Sequence, residues 1–297
     1  MTLFLEALIG GMLSGIMYAL VALGFVLIFK SSGVFNFAQG AMVLFSALTF
    51  VRLVEMQLPF WCALLLTLGV MVLLAMAIER VVLRPLVNQP LIILFMATIG
   101  LNFFLEGFAQ GVWDNQVHGL DLGINDVPIE TLMQATGILV STFDIIAALI
   151  AGLLVLGLSL FFHKTRIGRA LRAVSDDHQA ALSVGIPLHH IWGITWAASG
   201  MVACVAGLLW GSRLGVQFSL SLITLKAIPV LILGGFNSIP GAIVGGLIIG
   251  ASEKLAEVYL SRYLGSGLEN FFPYLLAMGF LTIRPYGLFG DEIIERV

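Results

Sequence analysis

Long runs of residues without a charged side chain recur along this chain. The four clearest runs are Ala7–Phe29, Phe60–Ile78, Ile145–Phe162 and Ile191–Ser212. A helix needs about 20 apolar residues to cross the ~30 Å hydrocarbon core of a bilayer, and each run reaches or nearly reaches that length. The runs therefore predict helices that span a membrane.

The overall composition leads to the same conclusion. Of the 297 residues, 60% are apolar and 10% are charged, whereas a soluble domain has about 25% charged residues. So few charged side chains cannot cover a water-exposed surface, which excludes a soluble enzyme, a nucleic-acid-binding protein and a disordered protein. We therefore expect an all-α fold, a polytopic integral membrane helical bundle in contact with lipid, in which residues 1–297 form a single transmembrane domain.

Five further segments are less regular but still apolar. They contain amides, prolines or a few charges: Val34–Val51, Leu91–Trp113, Ser221–Gly235, Ala242–Leu260 and Phe271–Ile283. Together with the four clear runs they predict about 8–9 transmembrane segments. Residues 1–6 contain no basic side chain ahead of the first run, so we expect that run to be a retained span rather than a signal peptide.

The positions of the basic residues predict an orientation. No Lys or Arg lies between Arg84 and Lys164, while several acidic residues do, so we expect an external loop at about 114–144. Basic residues then cluster at positions 164–172, which indicates a cytoplasmic loop at about 163–190 by the positive-inside rule. The N-terminus is accordingly predicted to lie outside and the C-terminus inside.

Small residues occur at four-residue spacing in several of the predicted spans. Examples are Gly11/Gly15/Ala19, Gly107/Gly111 and Ala242/Gly246/Gly250. Such spacing lets helix backbones approach closely inside a membrane. The pattern therefore predicts tight helix–helix packing at these residues.

Polar residues inside the spans are candidates for a translocation path, because such side chains are costly in a membrane and are usually functional. The candidates are Asn36, Gln39, Lys226 and Glu106. Three of them lie in the broken segments 31–40 and 225–235, each of which follows a long span. Discontinuous segments at matching positions in two halves of a chain are typical of a translocation path.

Structural roles are the alternative for several of these charges. Lys226 lies close to the end of a span, where its long stem can reach the membrane surface. Glu253 and Lys254 are expected to form a local ion pair, and Glu79 and Arg80 lie at a predicted cytoplasmic helix end. An ion pair or a contact with the helix dipole is expected there.

A short helix is predicted inside the cytoplasmic loop. Ser175 is a good N-cap, and Asp176 and Asp177 favour the first turn of a helix. Gly185 suits the position just after a helix, and Pro187 prevents the helix from continuing. We expect about two helical turns that either lie on lipid headgroups or dock a cytoplasmic partner.

Four stretches of the sequence resemble a known family. They are Ala180–Ala181 with Gly185–Pro187, Tyr18–Leu20 with Asn36–Gly40, Glu79–Arg80 with Arg84–Leu86, and Gly-Gly-Phe-Asn-Ser-Ile-Pro-Gly-Ala at 234–242. Together they resemble the LivH-type permeases of ATP-binding cassette (ABC) importers for branched-chain amino acids, across essentially the full chain. The resemblance implies the ABC importer permease fold and a translocation path for branched-chain or hydrophobic amino acids. Permeases for urea and short-chain amides share this scaffold, so these substrates remain alternatives.

The resemblance also implies that this chain lies in a bacterial inner membrane and works with partners. The partners are a second permease subunit (LivM-like), two cytoplasmic ABC ATPases (LivG- and LivF-like) and a periplasmic substrate-binding protein. The ATPase is expected to contact the loop at Asp176, Asp177, Ala180, Ala181, Ser183, Gly185 and Ile186. The chain has no G-x-x-x-x-G-K-[ST] phosphate-binding loop, so we expect no cofactor in this chain and ATP bound by the partner subunits.

Other function classes fit the sequence less well. The five histidines show no metal-binding spacing, so we expect no metal site, no catalytic residues and a transporter subunit rather than an enzyme. A stand-alone secondary transporter is the alternative from a different class. That alternative requires carboxylates inside the membrane, and only Glu106 is a serious candidate.

Overall fold

The computed structural model describes residues 2–86, 89–113, 116–130, 133, 137–176 and 178–290. The α-helices are α1 (Thr2–Ser32), α2 (Gln39–Glu55), α3 (Phe60–Ala77), α4 (Leu91–Val112), α5 (Thr142–Lys164), α6 (Arg166–Asp176), α7 (His178–Ser183), α8 (Leu188–Leu214), α9 (Ile223–Gly234), α10 (Ile239–Leu264) and α11 (Leu268–Ile283). A π-helical turn (Ile78–Leu83) and a 3-10 turn (Arg84–Leu86) extend α3, and a second 3-10 turn (Phe218–Leu222) precedes α9.

Within these described ranges, six helices are long and apolar enough to cross a membrane. They are α1, α3 with its extension, α4, α5, α8 and α10. Two shorter apolar helices, Phe218–Gly234 and Leu268–Ile283, add to them. The predicted apolar runs coincide with helices to within a few residues, and the prediction of an all-α, polytopic membrane bundle is confirmed.

Burial differs strongly among these helices. In the most apolar 18-residue stretch of each helix, 78% of the residues are buried in α1 and 72% in α8. The corresponding share is only 28% in α3 with its extension, 22% in α4 and 33% in α5. Large apolar side chains on the less buried helices, such as Leu65, Phe103 and Leu153, are mostly exposed. Helices α3, α4 and α5 therefore present surfaces suited to lipid, whereas α1 and α8 are largely enclosed by protein.

The chain divides into two compact units. The first unit comprises Met1–Ala22, Gly123–Leu156 and Leu225–Val297. The second comprises Leu23–Leu122 and Gly157–Thr224. Helices α1 and α5 each contribute residues to both units.

In the first unit, α1 and α10 pack through glycines. A Cβ atom added to Gly11 would lie 2.5 Å from the carbonyl oxygen of Gly250, and one added to Gly15 would lie 2.4 Å from that of Gly246. Only glycine lets the two backbones approach so closely. The tight packing that the sequence predicts for these two helices is confirmed.

In the second unit, α8 packs against α2 and α3. Trp196 of α8 is fully buried, and Ser46 of α2 donates a hydrogen bond to the carbonyl oxygen of Ala203 at 3.0 Å. The prediction of tight packing at Gly107 and Gly111 of α4 is wrong for the described part of the chain. An added Cβ at either glycine has no neighbour within 4 Å there, since both glycines lie on the exposed side of the helix.

The predicted break between α1 and α2 is present. Gly33 has a φ of +69°, a left-handed conformation that favours glycine, and it follows the last residue of α1. The Oδ1 atom of Asn36 accepts a hydrogen bond from the backbone N–H of Ala38 at 3.1 Å. The side chain of Asn36 therefore supports the turn that leads into α2.

The second broken segment differs from the prediction. The segment 225–235 is helical as far as Gly234 and includes Pro229, which membrane helices tolerate when neighbouring groups satisfy the freed backbone atoms. The break comes after α9, at Gly235, which has a φ of +104°. Ser238 then caps α10, because its Oγ atom accepts a hydrogen bond from the N–H of Gly241 at 3.0 Å.

Candidate translocation and coupling sites

A buried polar cluster lies where α1, α2 and α8 meet, and we call it the junction cluster. Its side chains, all fully buried, are Ser31, Asn36, Gln39, Thr195 and Ser199. The Oε1 atom of Gln39 accepts hydrogen bonds from Asn36 Nδ2 at 3.3 Å and from Ser199 Oγ at 2.9 Å. The structure thus brings together the two amides that the sequence predicts for a translocation path.

One face of α8 supplies two residues of the junction cluster, Thr195 and Ser199. Trp192 Nε1 donates a hydrogen bond to the carbonyl oxygen of Ser31 at 2.8 Å, and Thr195 Oγ1 donates one to Ser31 Oγ at 2.9 Å. Trp192, Thr195 and Ser199 are three and four residues apart, so they lie on the same face of the helix. This face ties α8 to the end of α1 and to the start of α2.

Gln39 also carries an unsatisfied donor. Its Nε2 atom is buried and has no hydrogen-bond partner among the described residues. The atom lies against Gly24, where an added Cβ would be only 2.3 Å away. Because unpaired buried donors are rare in stable cores, this amide marks a place that can accept a polar group or change its partners.

The Gly24→Ala variant is expected to lose about 1–3 kcal/mol of stability. The new methyl group displaces the Gln39 amide, so that Asn36 and Ser199 lose their shared acceptor. The apparent melting temperature of the purified protein in nanodiscs measures the loss. Gly69→Ala in α3 is the matched control, because an added Cβ at Gly69 has no described neighbour within 4 Å. Equal melting temperatures for the two variants would contradict the prediction.

A buried ion pair in the first unit contains the predicted path residue Lys226. Its Nζ atom lies 2.9 Å from Oε1 of Glu253, and the hydroxyl of Tyr18 donates a hydrogen bond to the same oxygen at 3.2 Å. The ammonium group also lies 5.9 Å from the centre of the Tyr18 ring, within the range of a cation–π contact. The side chain of Glu253 is 2% exposed and that of Lys226 is 21% exposed. A buried carboxylate is therefore neutralised by a cation from another helix.

This pairing corrects two expectations from the sequence. Glu253 does not pair with its neighbour Lys254, which forms an ion pair with Glu269 at 3.1 Å. Adjacent residues on a helix do not share a face, whereas Lys226 reaches Glu253 from α9. The ammonium group of Lys226 consequently points at a buried partner rather than at the membrane surface.

Glu106, the remaining candidate for the translocation path, stands apart from both clusters. It lies on α4 and is half-buried. Within the described ranges its carboxylate forms no ion pair. The structure therefore unites Asn36 with Gln39 and gives Lys226 a partner, but it does not join Glu106 to either group.

The predicted cytoplasmic loop is built differently from the expectation. Helix α6 covers Arg166–Asp176, so Ser175 lies inside this helix instead of capping the next one, and Asp176 ends α6 instead of beginning a helix. The reason is an amphipathic pattern that continues to this point, with three buried residues at three-residue spacing. They are Gly168, Leu171 and Val174. Asp177 lies outside the described residues.

The end of the loop agrees with the prediction. Gly185 has a φ of +83°, its N–H donates to the carbonyl of Leu182 at 3.0 Å, and the N–H of Ile186 donates to that of Ala181 at 3.0 Å. This pair of bonds is a Schellman motif, which ends α7.

Among the predicted ATPase contacts, Ala181 is only 3% exposed, while the exposed ones are Asp176, Ala180, Ser183 and Gly185. Ala181 therefore packs inside the protein.

A groove of about 520 Å³ lies beside this loop, and we call it the loop groove. Its lining residues are Glu79, Arg84, Leu182, Pro187, Leu188, His189 and Trp192. Glu79 is buried and accepts hydrogen bonds from Arg84 Nε at 3.2 Å and from Arg84 Nη2 at 3.0 Å. The π-helical turn brings residues five apart into contact, so Glu79 forms the ion pair expected at this helix end, and its partner is Arg84.

The sequence does not single out Trp192, Thr195 or Ser199. Serine and threonine occur within apolar runs because their hydroxyls can bond to the preceding helical turn. The Oγ1 atom of Thr195 lies 3.0 Å from the carbonyl oxygen of Ile191, which is an alternative acceptor for the proton that it can donate to Ser31. Their regular spacing along one face of the run Ile191–Ser212 is the signal that marks them.

The sequence matches the family described as "Branched-chain amino acid transport system / permease component" over residues 7–281. The chain belongs to this family. The LivH permease of Salmonella typhimurium, described as a high-affinity branched-chain amino acid transport system permease, is 29% identical and aligns over 99% of this chain and 98% of its own length. BraD of Pseudomonas aeruginosa, described in the same terms, is also 29% identical and aligns over 99% of this chain and 98% of its own length. A probable LivH permease of Methanocaldococcus jannaschii is 32% identical and aligns over 95% of this chain and 91% of its own length.

Membership in this family confirms the resemblance drawn from the motifs. The chain is a permease component and an integral membrane protein, and its family is one of transporter permeases. Among solved structures, PsaBC from Streptococcus pneumoniae in complex with Fab aligns with 95% of this chain and 91% of its own, at 15% identity and a TM-score of 0.45.

Proposed function

We propose that this chain is the membrane-spanning permease subunit of an ABC importer that takes up branched-chain amino acids across a bacterial inner membrane. The observation that carries the proposal is the family match over residues 7–281. The relatives named as high-affinity branched-chain amino acid permeases align with this chain over 98% of their own length. In this proposal a periplasmic protein delivers the amino acid, and this chain and a second permease subunit enclose its path. Two separate cytoplasmic ATPases bind ATP and supply the energy.

The loop groove and helix α7 are the proposed contact for the ATPase. Leu182 and Val184 are 53% and 76% exposed, which leaves an apolar knob beside the groove. Trp192 lines the groove and also donates its hydrogen bond to Ser31. If a docked ATPase displaces the loop, Trp192 and the rest of α8 are expected to move with it. That movement would change the contacts of the junction cluster, because Trp192 lies on the same face of α8 as Thr195 and Ser199.

The Val184→Glu variant tests this contact. A carboxylate buried at a docking surface without a partner is strongly unfavourable, so we expect at least a roughly tenfold loss of ATPase from the purified complex. Quantitative mass spectrometry of the co-purified subunits provides the measurement. Val184→Thr, which keeps the shape of the side chain, is the control and is expected to retain the ATPase. Full retention of ATPase by Val184→Glu would exclude this residue from the contact.

The transport function is tested by isolating the tagged chain from its own membranes and reconstituting the subunits that co-purify. ATP-dependent uptake of leucine, isoleucine or valine that requires the co-purified ATPase supports the proposal. Uptake of urea or acetamide, with no uptake of these amino acids, would assign the chain to the other substrate class. Uptake by the chain alone that collapses with a protonophore would instead make it a secondary transporter.

A further inference from the structure

A small pocket lies at the end of α2, remote from the junction cluster along that helix, and we call it the end pocket. Its volume is about 170 Å³, and its lining residues are Leu48, Val51, Arg52, Glu55, Val112, Trp113 and His118. A cavity of roughly 150 Å³ admits a benzene-sized molecule, so the end pocket has room for a small organic solute. The distribution of basic residues predicts that this end of α2 faces the outside.

Three polar side chains converge on one side of the end pocket. Arg52 Nη1 lies 2.9 Å from Glu55 Oε2, and His118 Nδ1 lies 2.8 Å from Glu55 Oε1. The backbone of His118 is held in turn by two hydrogen bonds with Val216, at 3.0 and 2.9 Å. The carboxylate of Glu55 is therefore fixed in position between a guanidinium and an imidazole.

Both charges keep capacity for a further partner. The side chain of Arg52 is 60% exposed, and only one of its N–H groups is used within the described part of the chain, although a guanidinium has five. A carboxylate accepts about four hydrogen bonds, and Glu55 is 39% exposed. The hydrogen bond from Arg52, reinforced by His118, lowers the pKa of Glu55, so this group is anionic at neutral pH.

The other side of the end pocket is apolar and rigid. Leu48 and Val51 are buried on α2. The indole of Trp113 packs edge-on against the ring of Phe45, with the ring centres 4.7 Å apart, and this contact fixes its orientation. The pocket thus combines a cation, an anion and an apolar wall within the size of one small molecule.

We propose that the end pocket binds the zwitterion of a branched-chain amino acid, with the α-carboxylate on Arg52, the α-ammonium on Glu55 and the side chain against Val51 and Trp113. Paired charges of opposite sign at one end and an apolar wall at the other match the three parts of such a molecule. The inference rests on the proposed transport of these amino acids and gives this chain its own acceptor site for them. Because the site is open and small, it binds the amino acid weakly and releases it readily.

The test measures which part of the ligand each residue recognises. The purified complex of this chain with its co-purifying subunits, without the binding protein, is loaded with tritiated leucine in a scintillation proximity assay. Three competitors are compared: leucine, isocaproate, which lacks the ammonium, and isoamylamine, which lacks the carboxylate. The wild-type complex is expected to prefer leucine over both analogues.

Each variant is expected to erase one preference only. Arg52→Gln should weaken leucine at least about tenfold, the size of one lost charge-assisted contact, and remove its advantage over isoamylamine. Glu55→Gln should remove its advantage over isocaproate. Arg262→Gln changes an exposed arginine in the last turn of α10 that does not line the end pocket. It is the control and should leave the binding of all three ligands unchanged.

The outcomes separate this inference from the proposed function. A wild-type complex without a preference for leucine, or variants that weaken the three ligands equally or leave their ranking unchanged, would overturn the end-pocket site. The same complex is assayed for ATP-driven leucine uptake in proteoliposomes with the binding protein present. Normal uptake together with a negative competition result overturns only the site, whereas absence of leucine uptake overturns the proposed function.

Discussion

The Lys226→Met variant is expected to lose about 3–5 kcal/mol of stability, the usual effect of removing one partner from a buried ion pair. The loss arises at Glu253, whose side chain is 2% exposed and would keep only the hydroxyl of Tyr18 as a partner. Removal of the other charge of the pair, in Glu253→Gln, is expected to cause a smaller loss of stability. Lys226 is 21% exposed, and its flexible stem can carry the ammonium group toward a more polar environment.

Denaturation of the purified protein in nanodiscs measures these losses, and the neighbouring ion pair provides the control. Lys254 and Glu269 are 36% and 37% exposed, and exposed pairs contribute only about 0–1 kcal/mol. Lys254→Met is therefore expected to leave stability nearly unchanged. Equal losses for Lys226→Met and Lys254→Met would contradict the view that the first pair is shielded from solvent.

A double variant distinguishes a role of this ion pair in transport from its role in stability. Lys226→Met combined with Glu253→Leu replaces both charges by apolar side chains and is expected to recover most of the stability, because a buried pair exchanged for apolar groups is often neutral. Recovered stability without recovered uptake would show that the pair serves transport. Recovery of both would show that it serves only folding.

The helices could be predicted from the sequence because the bilayer sets their length. An apolar run of about 20 residues has few other stable conformations, and Ala242–Leu260, for example, lies wholly inside α10. The partner of a charge inside such a run could not be predicted in the same way. Glu253 and Lys254 are adjacent in sequence, but the direction of each side chain depends on which helix packs against which face.

The predicted cytoplasmic loop shows which local signals are sufficient. Gly185 was predictable because a left-handed residue after a helix depends on local chemistry, and its φ of +83° agrees. Ser175 was not, because a capping residue also occurs inside helices whose apolar spacing continues past it. Leu171 and Val174 are both buried within α6, and their spacing outweighs the capping preference of the serine.

Two of the five residues of the junction cluster were predictable from the sequence, and the other three were not. Asn36 and Gln39 stand out because an amide in an apolar span carries groups that its own helix cannot satisfy. Thr195 and Ser199 do not, because a hydroxyl can bond its own helix at little cost. Only the packing of α8 against the break after α1 shows that Ser199 shares an acceptor with Asn36.

The Gly11→Leu variant is expected to prevent α1 and α10 from packing. An added Cβ at this position would lie 2.5 Å from the carbonyl oxygen of Gly250 and 2.8 Å from the Cα atom of Ala251. Both obstacles are backbone atoms, so no side-chain rotation relieves the overlap. Overpacking in a core costs about 1–3 kcal/mol, and more where the backbone must move, so we expect a loss of about 3 kcal/mol or more and little folded protein.

Gly10→Leu isolates this effect from the change of residue type. The two glycines are neighbours on α1, but an added Cβ at Gly10 has no described neighbour within 4 Å. Leucine is also a better helix former than glycine, by roughly 0.5–1 kcal/mol, so no loss of stability is expected at Gly10. The yield of monodisperse protein and its apparent melting temperature compare the two variants. A loss at Gly10 equal to that at Gly11 would mean that the hydrophobicity of the added leucine, and not the contact with α10, causes the damage.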